Sequence, residues 1–176
     1  MTANPLAFRD DLKHAPQNVK GRGNYQWEVA MSIDIRADTR RIFNALSYPE
    51  YQELWMRIPG QQANCCVMAS RVGSSFRLDY FKHGDVNMSI GGIFQTCRFR
   101  KIVFSWWRWS PGSLASSVSL CLDGNFGSST LRLKHTGLTT RDEYIWQKEM
   151  WRGSLAKLRD IFSSDERSMH RRRCEE

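Results

Sequence analysis

One long amphipathic helix near the C-terminus constrains the fold of this chain more than any other segment. Its pattern predicts a helix over about 141–162. Large apolar residues recur there three, four and seven residues apart, which places them on one helix face: Tyr144, Trp151, Leu155, Leu158 and Phe162. Burying five such side chains contributes roughly 8–15 kcal/mol as an upper bound. The helix therefore needs a large apolar surface to pack against.

The residues at the start of this helix predict where it begins. Thr140 followed three residues later by Glu143 predicts a capping box, and Asp142 adds negative charge at the positive end of the helix dipole. Gly153 lies inside the helix at a cost of about 1 kcal/mol relative to alanine. That glycine is either a sign of close packing or a neutral feature.

The clearest strand lies near the other end of the chain. Apolar residues alternate there with mostly polar ones over six repeats: Tyr25, Trp27, Val29, Met31, Ile33 and Ile35. Two short helices are predicted next, over 39–46 with Asp38 as N-cap, and from a second capping box of Ser47 and Glu50 to Trp55. Pro49 suits the first turn of the second helix.

The remainder, from about residue 62 to the long helix, is typical of strands. The candidates cover 63–70, 76–80, 86–90, 102–109, 118–122 and 131–135. His83-Gly84-Asp85 predicts a turn, and Gly91-Gly92 predicts a bulge or bend. Asp79 and Glu28 fall on the outward phase of their strands, where a carboxylate is usually solvated.

This order predicts an α+β fold. Short connections favour antiparallel hairpins, and the two short helices carry the chain away so that the first strand can pair with the last. The expected architecture is a curved antiparallel sheet of about six or seven strands wrapped around the long C-terminal helix. We expect an N-terminal arm over 1–23, partly disordered, one domain over 24–162, and a basic, frayed tail over 163–176.

Composition narrows the function classes. The net charge is +8, but the positive charges are scattered and no nucleic-acid-binding motif is present, so nucleic acid is an unlikely partner. The five cysteines, Cys65, Cys66, Cys97, Cys121 and Cys174, have irregular spacing, and we interpret them as reduced thiols of a cytoplasmic protein. No apolar run is long enough to span a membrane.

The local motifs, in their order, resemble a known family. The stretches that carry the resemblance are Ile33-Asp34-Ile35-Arg36-Ala37, Ile42-Phe43-Asn44-Ala45-Leu46, Tyr48-Pro49-Glu50, Val72-Gly73-Ser74-Ser75-Phe76, Val103-Phe104-Ser105-Trp106 and Thr130 to Leu138. They are similar to the SRPBCC, or START-like, superfamily with its helix-grip fold. The chain most resembles the group named for the C-terminal domain of the activator of the heat-shock-protein-90 ATPase. Two departures are the missing acidic residue and proline around Thr96, and Met150 where the group has glycine.

The resemblance implies a cavity between sheet and helix that holds a hydrophobic or amphipathic small molecule, such as a lipid, an aromatic or a polyketide-like compound. The strand phases supply inward candidates for its wall. The predicted ligand-binding residues are Met31, Trp55, Phe76, Leu78, Tyr80, Met88, Ile90, Phe104, Trp106, Arg108, Leu120, Leu133, His135 and Trp151. The alternative is that these side chains fill the core and leave no pocket.

No catalytic or metal-binding spacing stands out, so we expect no catalytic residues, no metal and no cofactor. His135 and Arg108 share the phase of the walls and either meet a ligand or bond to nearby polar groups, and we favour the second interpretation. Two rival functions remain open. One is an enzyme of the cyclase or dehydratase kind, with His135 or Tyr80 as its titratable group. The other is a co-chaperone-like module that binds a protein partner.

Overall fold

The computed structural model describes residues 27–58, 60–109 and 113–173. Seven strands and three helices follow one another within these residues. Their bounds are β1 Trp27–Ile35, α1 Thr39–Ser47, α2 Pro49–Trp55, β2 Gln62–Met68, β3 Ser75–Lys82, β4 Asp85–Arg98, β5 Lys101–Arg108, β6 Ser116–Asn125, β7 Ser128–Leu138 and α3 Arg141–Arg173. The predicted arm over 1–23 and Tyr25 lie outside the described residues, and the domain limits of 24 and 162 remain predictions.

All seven strands form one antiparallel sheet in the order β1-β7-β6-β5-β4-β3-β2. Consecutive strands from β2 to β7 are neighbours, and the first strand pairs with the last, as predicted: Ile33 lies opposite Leu131. The α+β helix-grip architecture is therefore confirmed. The alternation along β1 is confirmed as well, since Val29 and Ile35 are buried while Glu28 is exposed and pairs with Lys134.

The long helix α3 buries the predicted apolar stripe. Trp151, Leu155, Leu158 and Phe162 belong to the core, and Tyr144 packs at its edge with its ring 5.2 Å from that of Trp27. The helix continues to Arg173, beyond the predicted end at residue 162. A Cβ added at Gly153 would meet no atom within 4 Å, so close packing does not explain this glycine.

The three predicted helix starts have different outcomes. The capping box of α3 is confirmed, because the Glu143 N–H donates to Thr140 Oγ1 and the Thr140 N–H donates to the Glu143 carboxylate. Asp38 caps α1 by accepting from the Arg40 N–H. The second capping box is wrong: Ser47 is the last residue of α1, and the N-cap of α2 is Tyr48, which makes no side-chain cap bond.

Gly91-Gly92 forms no bulge against β3, because both glycines pair there in regular register, whereas Gly92 and Ile93 have no paired residue on β5, so the predicted bend stays a prediction. The role of the two glycines is to make room for rings on opposite faces of the sheet. A Cβ at Gly92 would collide with the Phe76 ring and the Ser105 carbonyl oxygen, and one at Gly91 would lie 2.9 Å from the Trp109 indole nitrogen. The register shift of β4 against β5 occurs further on, between Phe94 and Thr96.

The outward face of β3 corrects the expectation for Asp79. Its carboxylate is buried, not solvated, and accepts from Arg77 Nε at 2.9 Å and Ser89 Oγ at 2.5 Å. The Arg77 guanidinium lies over the Trp109 ring, so the arginine and the tryptophan cover this part of the outer face together. A buried carboxylate with these donors is a structural group of the sheet.

Candidate functional site

The structure places eleven of the fourteen predicted ligand-binding residues in the buried core. Met31 and Met88 are half-buried at its edge. Arg108 is exposed at the end of β5. The inward phases of the strands were therefore predicted well, since Trp106 of β5 and Trp151 of α3 meet with their ring centroids 5.1 Å apart. Whether any of these residues binds a ligand remains a prediction.

The described side chains between sheet and helices pack closely. The cavity that they line has a volume of about 20 Å³, which is close to the space of a single water molecule. It is lined by Leu46, Gln52, Trp55, Met56, Phe76, Leu78, Phe94, Phe104, Trp106 and Leu120. Aromatic rings take up the rest, with the Phe76 centroid 5.2 Å from that of Phe104 and 5.5 Å from that of Phe94. The space that these described side chains line has no room for a drug-sized ligand.

His135 is the centre of a buried chain of hydrogen bonds. The Trp151 indole N–H donates to His135 Nδ1 at 3.0 Å, and His135 Nε2 lies 2.7 Å from Ser116 Oγ. Ser116 Oγ donates to the Trp106 carbonyl oxygen at 3.0 Å. Because an indole nitrogen can only donate, Nδ1 must be the acceptor, and the neutral ring carries its proton on Nε2. Each hydrogen bond in this series therefore has one defined donor and one defined acceptor.

This arrangement makes His135 a structural group. Burial lowers the pKa of His135 from 6.5 to about 3, because the charged ring would lose its hydration. Protonation would also put a hydrogen on Nδ1, facing the Trp151 N–H. A general acid or base works best with a pKa near the operating pH, and His135 is far from that range. Tyr80, the other titratable candidate, is completely buried on β3.

An open pocket of about 380 Å³ lies at the amino-terminal end of α3, beside this hydrogen-bonded chain. Its wall comes from the ends of β5, β6 and β7 and from the first two turns of α3. The lining residues are Trp106, Trp107, Arg108, Ser113, Leu114, Ser116, Leu138, Thr140, Asp142, Glu143, Trp146 and Gln147. We call this space the α3 pocket. Its volume falls in the range of small-molecule sites.

The polar side chains that line the α3 pocket differ in whether their hydrogen-bonding atoms already have partners. The Glu143 carboxylate accepts from the Thr139 and Thr140 backbone and from the Thr139 hydroxyl, so it is occupied by helix capping. The exposed Arg108 guanidinium lies 5.4 Å from the centroid of the Trp146 ring. Gln147 is buried, and its Oε1 has no hydrogen-bond partner among the described residues. The pocket therefore offers a cation on an aromatic plane, whereas the Gln147 acceptor is buried beneath its wall.

Only Trp106 and Arg108 of the predicted residues line the α3 pocket. The prediction missed Gln147, Trp146, Ser116 and Leu138. Gln147 had a usable signal, because it precedes Trp151 by four residues and so shares its helix face. Ser116 and Leu138 had none, since strand ends are located by pairing and not by periodicity.

Other site types find little support in the described part of the chain. No three His, Cys, Asp or Glu side chains there lie close enough to hold a metal ion. None of the helices described is both long and apolar enough to cross a membrane. Cys97 and Cys121 are free, half-buried thiols, and burial raises the pKa of Cys97.

Comparison with known proteins gives a family match and a set of structural matches. A family model described as "Activator of Hsp90 ATPase homolog 1-like protein" matches residues 36–163. No curated protein sequence matches the chain. The matched residues run from α1 into α3 and include the lining residues of both the interior cavity and the α3 pocket.

Solved structures share the fold at low sequence identity. Protein CV1439 from Chromobacterium violaceum superposes with a TM-score of 0.70 at 15% identity, over 77% of this chain and 96% of that one. CalU16 from Micromonospora echinospora gives 0.55 at 18%, over 76% and 73%. DynU16, a putative protein in the dynemicin biosynthetic locus, gives 0.64 at 16%, over 78% of this chain and 48% of that one. Identities this low demonstrate the fold alone.

Proposed function

This chain belongs to the Activator of Hsp90 ATPase homolog 1-like family, and from that premise we propose that it binds a hydrophobic or amphipathic small molecule, without catalysis, in the α3 pocket. The observation that carries the proposal is the contrast between the two spaces. The interior cavity lined by described side chains has about 20 Å³, whereas the α3 pocket has about 380 Å³. A ligand of drug size fits the second and not the first.

The chemistry of the wall indicates a ligand with a flat apolar body and polar ends. Leu114, Leu138 and Trp146 supply apolar contact area. The Arg108 guanidinium suits a carboxylate, sulfonate or carbonyl oxygen, and the exposed Asp142 carboxylate suits a hydroxyl or N–H donor. Aromatic and polyketide-like compounds combine these features. One structural neighbour comes from a biosynthetic locus, which agrees with a small organic ligand.

An aromatic anion tests the proposal directly. We would titrate the protein with 1-anilinonaphthalene-8-sulfonate and follow the fluorescence. Arg108→Gln should weaken binding about tenfold by removing the cation that faces the sulfonate. Arg152→Gln removes an exposed arginine of α3 outside the pocket and should leave the affinity unchanged. Equal affinities of the two variants, or no binding at all, would contradict the proposal.

Native mass spectrometry then identifies the natural ligand class. We would weigh the purified protein and extract any bound mass with organic solvent. An adduct of a few hundred daltons that disappears in Arg108→Gln, but persists in Phe104→Leu, would support the α3 pocket. Phe104 lines only the interior cavity, so loss of the adduct in that variant alone would relocate the ligand to the core.

The two rival functions make different predictions. An enzyme of the cyclase kind needs a titratable group in the pocket, where Glu143 is engaged in helix capping and Asp142 is exposed on the first turn of α3. A co-chaperone-like module needs an exposed apolar surface, and α2 offers one in Tyr51 and Leu54 with Tyr48 at its N-cap. Tyr51→Ser with Leu54→Ser should leave the fluorescence titration unchanged and would abolish binding only to a protein partner.

A further inference from the structure

Two neighbouring hairpin tips place exposed phenylalanines at the end of the sheet opposite the α3 pocket. Phe126, between β6 and β7, is 95% exposed and is followed by Gly127 at φ +87°. Phe99, between β4 and β5, is 53% exposed, and its ring meets that of Phe43 edge-on at 5.7 Å. Both tips border a groove of about 650 Å³ beside the start of α1. Two large apolar side chains are thus presented outward together.

Arginines surround these rings. Arg40 and Arg41 lie in the first turn of α1, with the Arg41 guanidinium 5.5 Å from the centroid of the Phe162 ring, and Arg98 and Arg100 flank Phe99. Arg100 donates to the Gly124 carbonyl oxygen at 2.9 Å, which joins the two tips, and its guanidinium lies 5.6 Å from the centroid of the Phe99 ring. Among the residues lining the groove, Asp38 is the one acid, and its carboxylate caps α1. This surface is strongly positive.

We propose that this surface, the hairpin-tip patch of Arg40, Arg41, Arg98, Phe99, Arg100 and Phe126, docks onto an anionic lipid bilayer. Positive charge brings the patch to a negatively charged membrane, at a distance of about one Debye length or less. Phe126 then inserts at the boundary between head groups and acyl chains, where an exposed aromatic ring loses its contact with water. The arginines remain at the level of the phosphates.

The shape of the patch favours a bilayer over a single-stranded nucleic acid. Phe126 stands at the tip of a hairpin and contacts almost nothing in the chain, so it protrudes from the surface instead of forming the floor of the groove. Stacking of successive bases requires rings that line a groove along the backbone path. The Phe99 ring is already engaged by Arg100 and Phe43. A protruding ring among cations is instead the arrangement of an interfacial anchor.

Vesicle co-sedimentation of the full chain tests this proposal. We would compare phosphatidylcholine vesicles with vesicles containing about 30% phosphatidylglycerol. The protein should bind the second and not the first. Phe126→Ser should weaken binding about tenfold. Arg40→Gln combined with Arg98→Gln should weaken it about thirtyfold at low salt, and about 0.5 M NaCl should remove most of the binding.

Matched variants separate this surface from a general effect of charge or exposure. Val86→Ser removes an exposed apolar residue at the start of β4, at the end of the strand away from Phe99. Lys82→Gln combined with Arg152→Gln removes two exposed charges outside the patch. These controls should bind anionic vesicles like the original chain. Binding that is equal for the two vesicle types, absent, or as sensitive to the controls as to the patch variants would overturn the proposal. Binding of a single-stranded oligonucleotide, with no vesicle binding, would also overturn it.

Discussion

Trp151 of α3 donates its indole N–H to Nδ1 of His135 in β7 across 3.0 Å, so a buried hydrogen bond joins the long helix to the sheet. The bond fixes the imidazole in its neutral form, with the proton on Nε2 directed at Ser116. The same pair packs against Trp106, whose ring centroid is 5.1 Å from that of Trp151. Helix, sheet and polar network therefore depend on one another at this point.

Substitution of Trp151 separates packing from hydrogen bonding. Trp151→Ala should destabilise the fold by roughly 3–5 kcal/mol because it empties a completely buried position. Trp151→Phe keeps most of the ring but leaves His135 Nδ1 without a donor, at a cost of about 1–3 kcal/mol. Denaturant titration measures both values. A loss below about 1 kcal/mol for Trp151→Ala would mean that α3 does not hold the sheet.

Acid should destabilise the protein through His135. Its pKa is about 3 in the folded state and 6.5 when unfolded, so between these values the unfolded chain binds more protons. The free energy of unfolding should therefore fall as pH falls from 6.5 towards 3, by up to about 1.4 kcal/mol per pH unit from this group. His135→Gln should flatten the slope in urea titrations at several pH values. His83→Asn, in an exposed turn, should retain it.

Two glycines should respond to alanine with opposite signs. Gly92→Ala should destabilise by about 1–3 kcal/mol or more, because the new methyl group meets the Phe76 ring and a backbone carbonyl. Gly153→Ala should stabilise by about 1 kcal/mol, because the helical site has open space around it. Thermal or chemical unfolding measures both. A destabilising Gly153→Ala would show that this position packs against something.

The capping box should contribute measurably to stability. Glu143→Ala leaves the Thr139 and Thr140 donors without their carboxylate and should cost about 0.5–2 kcal/mol in a urea titration. Glu149→Ala removes a second carboxylate of the same helix, which forms only an exposed pair with Arg152, and should change stability by less than about 0.5 kcal/mol. Equal effects would mean that the box is not formed.

Gln147 carries a buried acceptor without a hydrogen-bond partner among the described residues. Gln147→Met replaces this carbonyl with an apolar group of similar length, so the protein should gain about 1 kcal/mol or more. A urea titration measures the effect. A variant that loses stability would show that Oε1 has a partner in solution.

The sequence by itself determined the elements of this fold. Alternation along β1 and the spacing from Tyr144 to Phe162 follow from backbone geometry, and the Thr140–Glu143 box joins residues only three apart. Ser47 was misassigned by the same local reasoning. Ser47 lies between two helices and is the last residue of α1, because the Tyr48 N–H donates to the Asn44 carbonyl oxygen and completes the last turn of that helix.

Only the tertiary structure decided where space remains. Whether inward aromatics leave a cavity depends on how rings from several elements interlock, and the Phe76 ring fits because Gly92, opposite it on the neighbouring strand, has no side chain. The hydrogen-bond partners of His135 come from β6 and α3, so no local sequence pattern predicts them. The periodicity of apolar residues indicates on which face of a strand or helix a side chain lies. Cavity volume and hydrogen-bond partners arise from residues far apart in sequence, and packing alone brings them together.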